Sequence, residues 1–160
     1  SAASDVYKRQ FMDYKQGKYR TGRHVVFSLQ AHIVLVTKYR RGTISDRVRD
    51  VIIATANDVA KRYEFQILVI DGEDDYIHLV VDYPPKLSLS KLVMVLKANT
   101  AKKIREQRFD EVESVLLGDH FWSPSYLVTS TGDDSLEKVR RYIQDQRKPP
   151  RGPGRPVDKK

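Results

Sequence analysis

The chain has 160 residues, with 29 Lys plus Arg against 21 Asp plus Glu and a formal net charge of +8. A length of this order is one domain with one core, and the cationic excess favours an anionic partner, nucleic acid before an acidic membrane surface, over a protein that is merely basic. The absence of cysteine excludes a disulfide framework and thiolate metal sites and agrees with a reducing, cytoplasmic setting, while no apolar run approaches the roughly 20 residues of a membrane span and no secretory signal is expected.

Residues 1–30 lack a stable period and read as a flexible basic arm carrying Lys15, Lys18, Arg20 and Arg23; its first residues, about 1–10, have the look of a cloning or sequencing remnant. His32-Ile33-Val34-Leu35-Val36-Thr37-Lys38-Tyr39 is β-branched and predicts a strand ending at the Arg40-Arg41-Gly42 turn. Thr43 or Ser45 then caps a helix whose apolar stripe (Val48, Val51, Ile52, Thr55, Val59, Ala60) runs to about Tyr63. Phe65 to Ile70 predicts a second strand, residues 71–75 an acidic turn, and residues 76–82 a third strand paired antiparallel with the second. After the Pro84-Pro85 break, Ser88 or Ser90 caps a long basic helix, followed by a short, helix-like segment over Asp110 to Leu117. A fourth strand is expected over Tyr126 to Thr129, and Asp133 or Asp134 caps a last helix over roughly 134–148. The Pro, Gly, Arg and Lys that dominate from Lys148 onward predict a disordered basic tail over 149–160.

This order, β-α-β-β-α-β followed by an extra helix, is an α+β plan: a ferredoxin-like, RRM-like antiparallel sheet with helices on one face, spanning residues 31–148. The third strand alternates. Ile77, Leu79 and Val81 are needed beneath the helices, so Tyr76 and His78 are expected on the opposite, free face, with the helix of Tyr142 and Gln146 meeting it there. Tyr142 and Gln146 are four residues apart and stack on one flank of the last helix. A lone helix tyrosine is most often packing, and a lone strand histidine a satisfied polar residue. Together, however, a phenol suits phosphoryl transfer through a covalent phosphoester, and an imidazole plus a carboxamide oxygen suits a hard divalent ion. Lys91, Lys97, Lys102, Lys103 and Arg105 on the basic helix are candidates for phosphate contacts, against the alternative of a solvated helix face. Phe121 and Trp122 read as core and His32 as structural; His24 and His120 carry no argument.

Five segments carry a family resemblance. They are His32-Ile33-Val34-Leu35-Val36-Thr37-Lys38-Tyr39-Arg40-Arg41, Asp75-Tyr76-Ile77-His78-Leu79-Val80-Val81 with Pro84-Pro85, Lys91-Leu92-Val93 through Leu96-Lys97, His120-Phe121-Trp122-Ser123-Pro124-Ser125-Tyr126, and Arg141-Tyr142-Ile143-Gln144-Asp145-Gln146. In this order, over about residues 31–147, the chain resembles the single-tyrosine HUH transposases of the smallest insertion sequences. The resemblance implies cleavage and rejoining of single-stranded DNA at element ends through a 5′-phosphotyrosine. It implies Tyr142 as nucleophile, and His78 and Gln146 as ligands of a divalent metal, Mg²⁺ or Mn²⁺. It implies partners as well: DNA hairpins, gripped also by Lys38, Arg40 and Arg41, and a second copy in a homodimer whose Tyr142 helix acts in trans. The family has His-hydrophobic-His where this chain has Tyr76-Ile77-His78, so Tyr76 stands at the first ligand position. A neutral phenol with a pKa of about 10 is a poor metal ligand at neutral pH, and Asp74 or Asp75 is the nearest oxygen substitute. Two other readings compete: a relative that binds hairpins but is impaired in cleavage, and an RRM-like binder of single-stranded nucleic acid. A metabolite-sensing domain is weaker, since it leaves the basic helix and tail without a use.

Overall fold

Two periods in the sequence, one of two residues and one of three to four, become the sheet and the helices of the computed structural model, which describes residues 19–146. In chain order the elements are a hairpin of β1 (Arg20–Gly22) and β2 (Val25–Phe27), then β3 (Gln30–Thr37), a 3-10 turn (Lys38–Arg40), α1 (Asp46–Tyr63), β4 (Gln66–Gly72), β5 (Tyr76–Asp82), α2 (Leu89–Gln107), α3 (Asp110–Leu116), β6 (Trp122–Ser130) and α4 (Ser135–Gln146). The four long strands form one sheet in the order β4-β5-β3-β6, every neighbouring pair antiparallel. That is the expected ferredoxin-like β-α-β-β-α-β plan, with α4 as the additional helix.

Alternation in β3 and β5 divides the sheet into two faces. Ile33 and Leu35 of β3 and Ile77, Leu79 and Val81 of β5 pack with Val48, Ile52 and Val59 of α1 and Leu92, Leu96 and Ile104 of α2. Both of these helices start on serine. Ser45 Oγ accepts the Val48 N–H at 3.3 Å and Ser88 Oγ the Lys91 N–H at 3.2 Å, each satisfying an amide that has no partner within the helix. The opposite phase, His32, Val34 and Val36 with Tyr76, His78 and Val80, faces the other way. A bulge in β4 joins it: Ile67 lies opposite Val81 but Val69 opposite Val80, so Leu68 is the extra residue. The bulge changes the phase of the strand, placing Val69 against Val80 and Asp71 opposite His78. Gly72 closes the hairpin into β5, where a Cβ would lie 2.2 Å from the Tyr76 carbonyl oxygen.

Of the residues expected in a flexible arm over 1–30, those from Arg20 onward are built into the fold. Asp82 is buried and needs a cation. Arg20 supplies it through a 2.7 Å bond from Nη1 to Asp82 Oδ1, while its guanidinium lies 5.0 Å from the Phe27 ring centre. Gln30 Nε2 donates to the second Asp82 oxygen at 3.0 Å. The remainder of the expected arm, residues 1–18, and the tail from 149 lie outside the described residues. The fourth strand is longer than expected: it begins at Trp122, whose Nε1–H donates to Thr100 Oγ1 at 2.9 Å and ties the strand to α2. Among the described residues no helix is long and apolar enough to cross a membrane.

Helix α3 is clasped to the start of α1 by one carboxylate. Glu111 accepts Ser45 Oγ–H at 2.7 Å and Arg47 Nε–H at 2.8 Å, and Arg47 Nη2 pairs with its other oxygen. The Arg47 bond first, then the Ser45 bond, hold the Glu111 carboxyl down to about 2 from its ordinary 4.5. A depressed folded pKa means stability that is present above the unfolded value and lost as pH falls toward the folded one. Glu111→Gln is therefore expected to lower the melting temperature near neutral pH and to converge with the parent chain as pH falls from 4.5 to about 2. Thermal denaturation across that range checks it, and a gap that does not change with pH would show that the carboxylate charge plays no part.

Candidate active site

Helix α4 turns the second sheet face into a site. Leu136, Val139, Tyr142 and Ile143 recur at spacings of three and four, so they share one face of the helix. Val139 is 4% exposed and packs with Tyr142 and Ile143 against Val34, Val36, Leu127 and Tyr76. Leu136 packs against Val69 and Val80. The chain turns into α4 through Gly132, whose carbonyl accepts both the backbone N–H of Ser135, at 3.2 Å, and its Oγ–H, at 2.8 Å.

Under the first turn of α4 lie two imidazoles. Val34 is paired with His78 and His32 with Val80, so the histidines are diagonal neighbours on one face of adjacent strands. His32 Nδ1 and His78 Nε2 are 2.9 Å apart, and His32 Nε2 is 2.9 Å from Ser135 Oγ. The ring planes differ by 20° and the centroids lie 5.1 Å apart, which is the geometry of two rings joined edge to edge through a hydrogen bond. Burial pushes the His32 pKa down to about 4 from 6.5. Burial first, and then repulsion from His32, pushes His78 down to about 3. Both rings are neutral at neutral pH, so one nitrogen of the contact carries the proton and the other accepts it.

Tyr142 sits farther along α4, and its hydroxyl is buried with no hydrogen-bond partner among the described residues. An orphaned buried hydroxyl is uncommon and points to a ligand or a chemical role. Tyr76 packs in the same cluster as Tyr142, with the Arg40 guanidinium 6.0 Å from its ring centre. Gln146 is in the last turn of α4, but its side chain is outside the described ones. The two aspartates that precede Tyr76 are engaged with the loop after β3. The Asp75 carboxylate is 2.8 Å from Arg40 Nη2 and its carbonyl accepts the Thr37 N–H at 3.0 Å; the Asp74 carbonyl accepts the Ile44 N–H at 2.9 Å and its carboxylate lies against Gly42. Both aspartates hold the loop after β3.

Among the described residues no group of three His, Cys, Asp or Glu is arranged to hold a metal ion. The donors to be considered are thus His78 and the carboxamide of Gln146. One imidazole and one amide oxygen suit a hard ion that keeps several waters, and the orphaned Tyr142 hydroxyl lies in the same helix–sheet layer. Of the expected ligands only His78 has a described side chain, and its Nε2 is engaged with His32, so the described residues do not by themselves form a metal site.

The cationic candidates lie elsewhere. Lys38, Lys97 and Arg105 line a groove of about 560 Å³ between α2 and the start of β6, floored by Val93, Phe121 and Trp122 and rimmed by Tyr126. Lys97 Nζ donates to the Ser123 carbonyl at 2.7 Å, and partial burial lowers its pKa. Lys91, Lys102 and Lys103 are exposed on α2, Arg41 is exposed beyond β3, and Arg40 is taken up by Asp75. Since α2 packs on the core face, this cationic layer is across the sheet from Tyr142. Phe121 and Trp122 are buried, as expected. His32, expected to be structural, is bonded to His78 and Ser135 in the fold. His32 shares its alternation with Val34 and Val36, and adjacency of the first and third strands puts that phase beside His78; this was the available signal.

A tyrosine helix is docked over the histidine face of a ferredoxin-like sheet. The family model described as "Transposase IS200 like" matches residues 25–146, and the chain belongs to that family. It is similar to the ISDra2 transposase TnpA of Deinococcus radiodurans, 23% identical over 127 residues that cover 79% of this chain and 90% of the relative. It is likewise similar to the transposase for insertion sequence element IS200 of Salmonella typhimurium, 27% identical over 123 residues, covering 77% and 80%. Among solved structures, a crystal structure of a putative transposase from Deinococcus radiodurans matches with a TM-score of 0.72 and 26% identity over 79% of this chain and 97% of that one. A REP-associated tyrosine transposase bound to a REP hairpin shares the fold, with a TM-score of 0.51 and 10% identity over 78% and 67% of the two chains.

The seat of α4 rests on few apolar contacts, which makes it separable from the rest of the fold. Val139→Ala is expected to remove about 1–2 kcal/mol of docking energy, roughly a tenfold faster hydrogen exchange of α4 amides, with little change in the α1 and α2 amides. Uniform acceleration throughout the chain would show instead that α4 unfolds only with the whole domain.

Proposed function

We propose that this transposase cleaves and rejoins single-stranded DNA at insertion-sequence ends through a covalent 5′-phosphotyrosine on Tyr142. The observation that carries this reading is the Tyr142 hydroxyl, buried without a partner among the described residues, on a helix docked over the face that presents His78. In cleavage the Tyr142 oxygen bonds to the scissile phosphorus as the bond from phosphorus to the 3′ oxygen breaks. The phenol proton is transferred overall to that oxygen, leaving a free 3′-hydroxyl and a phosphoester that keeps the bond energy for rejoining. His78 and Gln146 are the residues that would hold a divalent ion, Mg²⁺ or Mn²⁺, which when bound supplies polarisation of the phosphate. Packing of α4 on Val34, Val36 and Tyr76 sets the height of the Tyr142 ring over the sheet and limits its rotation.

Hairpin DNA is the proposed partner, supported by the REP hairpin in the structural neighbour. Lys38, Arg41, Lys91, Lys97, Lys102, Lys103 and Arg105 are the proposed phosphate contacts, and Arg40 joins them on leaving Asp75. The separation of this layer from Tyr142 supports a division of labour, with the duplex stem on the helix side and the cleaved strand on the α4 side. The proposed working unit is a homodimer acting on DNA in the cytoplasm. In the single chain α4 rests on its own sheet; exchange of the helix between copies would preserve the same apolar seam in trans. An RRM-like binder stacks bases on an open sheet face, and here α4 covers that face. Tyr76 favours a second reading, a relative that binds hairpins with impaired cleavage, because a neutral phenol ligates metal poorly.

Incubation of the chain with single-stranded end DNA and Mg²⁺ or Mn²⁺ is expected to yield a covalent protein–DNA adduct that Tyr142→Phe abolishes; an adduct in the variant would sink the nucleophile assignment. Tyr76→His is expected to raise metal-dependent cleavage roughly tenfold, the scale on which changes around a metal move its affinity. An unchanged rate would place residue 76 away from the ion.

A further inference from the structure

Arg40 stands apart from the other cations proposed to meet phosphate. Arg41, Lys91, Lys102, Lys103 and Arg105 are exposed, whereas the Arg40 side chain is 14% exposed. Its backbone and that of Tyr39 lie in the left-handed region, at φ 53° and 61°. Two successive residues with side chains stay there only where their surroundings hold them. The Tyr39 hydroxyl donates to Asp119 Oδ2 at 2.8 Å, and the Thr37 hydroxyl is shared by the Arg41 and Asp75 carbonyls, at 2.9 and 3.1 Å. The turn brings the Arg40 guanidinium to the start of β5, 6.0 Å from the Tyr76 ring centre, with Nη2 2.8 Å from Asp75 Oδ2. That ion pair leaves most of the guanidinium unspent: Nε and Nη1 are buried with no hydrogen-bond partner among the described residues. Tyr76 in turn packs in one cluster with Tyr142, whose hydroxyl is buried in the same state. A guanidinium and a phenol, both withdrawn from water and both unsatisfied, thus border one ring. A phosphodiester answers to both, since its charged oxygens accept from N–H groups and its phosphorus takes a phenol oxygen.

We infer that Arg40 binds the phosphodiester of the cleaved strand, with Nε and Nη1 donating to its non-bridging oxygens beside Tyr142. The inference rests on the strand-transfer reading of Tyr142 and adds the group that meets the charge of the reacting phosphate. Tyr76 offers no cation at neutral pH, whereas the guanidinium beside it is always charged. It is fixed before the phosphate arrives and in surroundings that exclude water, where such a bond is stronger than in bulk solvent. Breaking a buried ion pair is costly, so Arg40 keeps Asp75 and makes the contact with the nitrogens that the pair does not use. On a hairpin stem Arg40 acts only after leaving Asp75; toward the cleaved strand it acts from where it stands.

The test measures binding of the full-length chain to end DNA, a hairpin with its single-stranded flank, by fluorescence anisotropy in EDTA, which keeps metal-dependent cleavage out of the measurement. Each phosphate in turn is replaced by an uncharged methylphosphonate. Arg40→Gln is expected to weaken binding to unmodified DNA roughly tenfold, the scale of a charge-assisted hydrogen bond. The same variant is expected to cost under about twofold when the methylphosphonate stands at one particular position of the single-stranded flank, because the charge that Arg40 meets is then already absent. Where Mn²⁺ yields an adduct, that position is the cleaved bond. Arg40→Lys keeps a charge beside Asp75 and is expected to pick out the same position with a loss of about threefold; it decides if Arg40→Gln does not fold. No loss on unmodified DNA, a loss that persists at every single-stranded position, a loss that vanishes at a stem phosphate, or a position other than the cleaved bond overturns the proposal. Failure of the strand-transfer reading would appear separately, as an adduct that persists in Tyr142→Phe while the position coupled to Arg40 stands.

Discussion

The antiparallel ladder between β3 and β5 is the constraint on which the rest depends. It sets Ile33 opposite Leu79 on the core face and Val34 opposite His78 on the other, and no side chain on either strand can change face alone. A slip of one residue would carry His32 and His78 into the aliphatic core and expose the isoleucines, each of which costs several kcal/mol in desolvation or lost burial. The register is thus held by burial on one face and by paired imidazoles on the other. The same ladder carries β6 on the far side of β3, which brings Leu127 and Thr129 to the face that α4 covers.

Covering that face raises the problem of buried polar groups, and the structure answers it differently at each position. His32 and His78 are neutralised by burial and bonded to each other and to Ser135, so little unsatisfied polarity remains there. Asp82 is paired with Arg20 and Gln30. The Tyr142 hydroxyl has no partner among the described residues, and neither do Asp75 Oδ1 and Arg49 Nε. Buried polar groups left without a partner are uncommon and call for a reason.

A high positive charge does not by itself show which cations are available. Arg20, Arg40 and Arg47 are taken up by Asp82, Asp75 and Glu111, where they clasp the hairpin, the loop after β3 and α3 to the domain. Accessible cations stand on both sides of the sheet: Lys91, Lys102 and Lys103 on α2, with Lys38, Lys97 and Arg105 at an apolar groove, and Lys138, Arg140 and Arg141 on α4.

Strand and helix periods were legible in the chain itself, because alternation and the three-to-four spacing depend only on neighbours within one element. Ile77, Leu79 and Val81 under the helices, Tyr76 and His78 on the other face, Ser45 and Ser88 as caps, and Tyr142 on the last helix all follow from such local rules. The position of Tyr76 in place of a histidine was equally plain. The hairpin at Arg20 was not, since it exists through a charge pair with Asp82 across 62 positions. Nor was the fate of Asp74 and Asp75, which lie beside Tyr76 in the chain yet bond to the loop after β3. The partnership of His32 with His78 and Ser135 spans 46 and 103 positions and appears only when β3 lies beside β5 and α4 closes over both. Local pattern fixes which way a side chain faces; which other side chain it meets there is decided by strand order and helix docking, and those are properties of the assembled core.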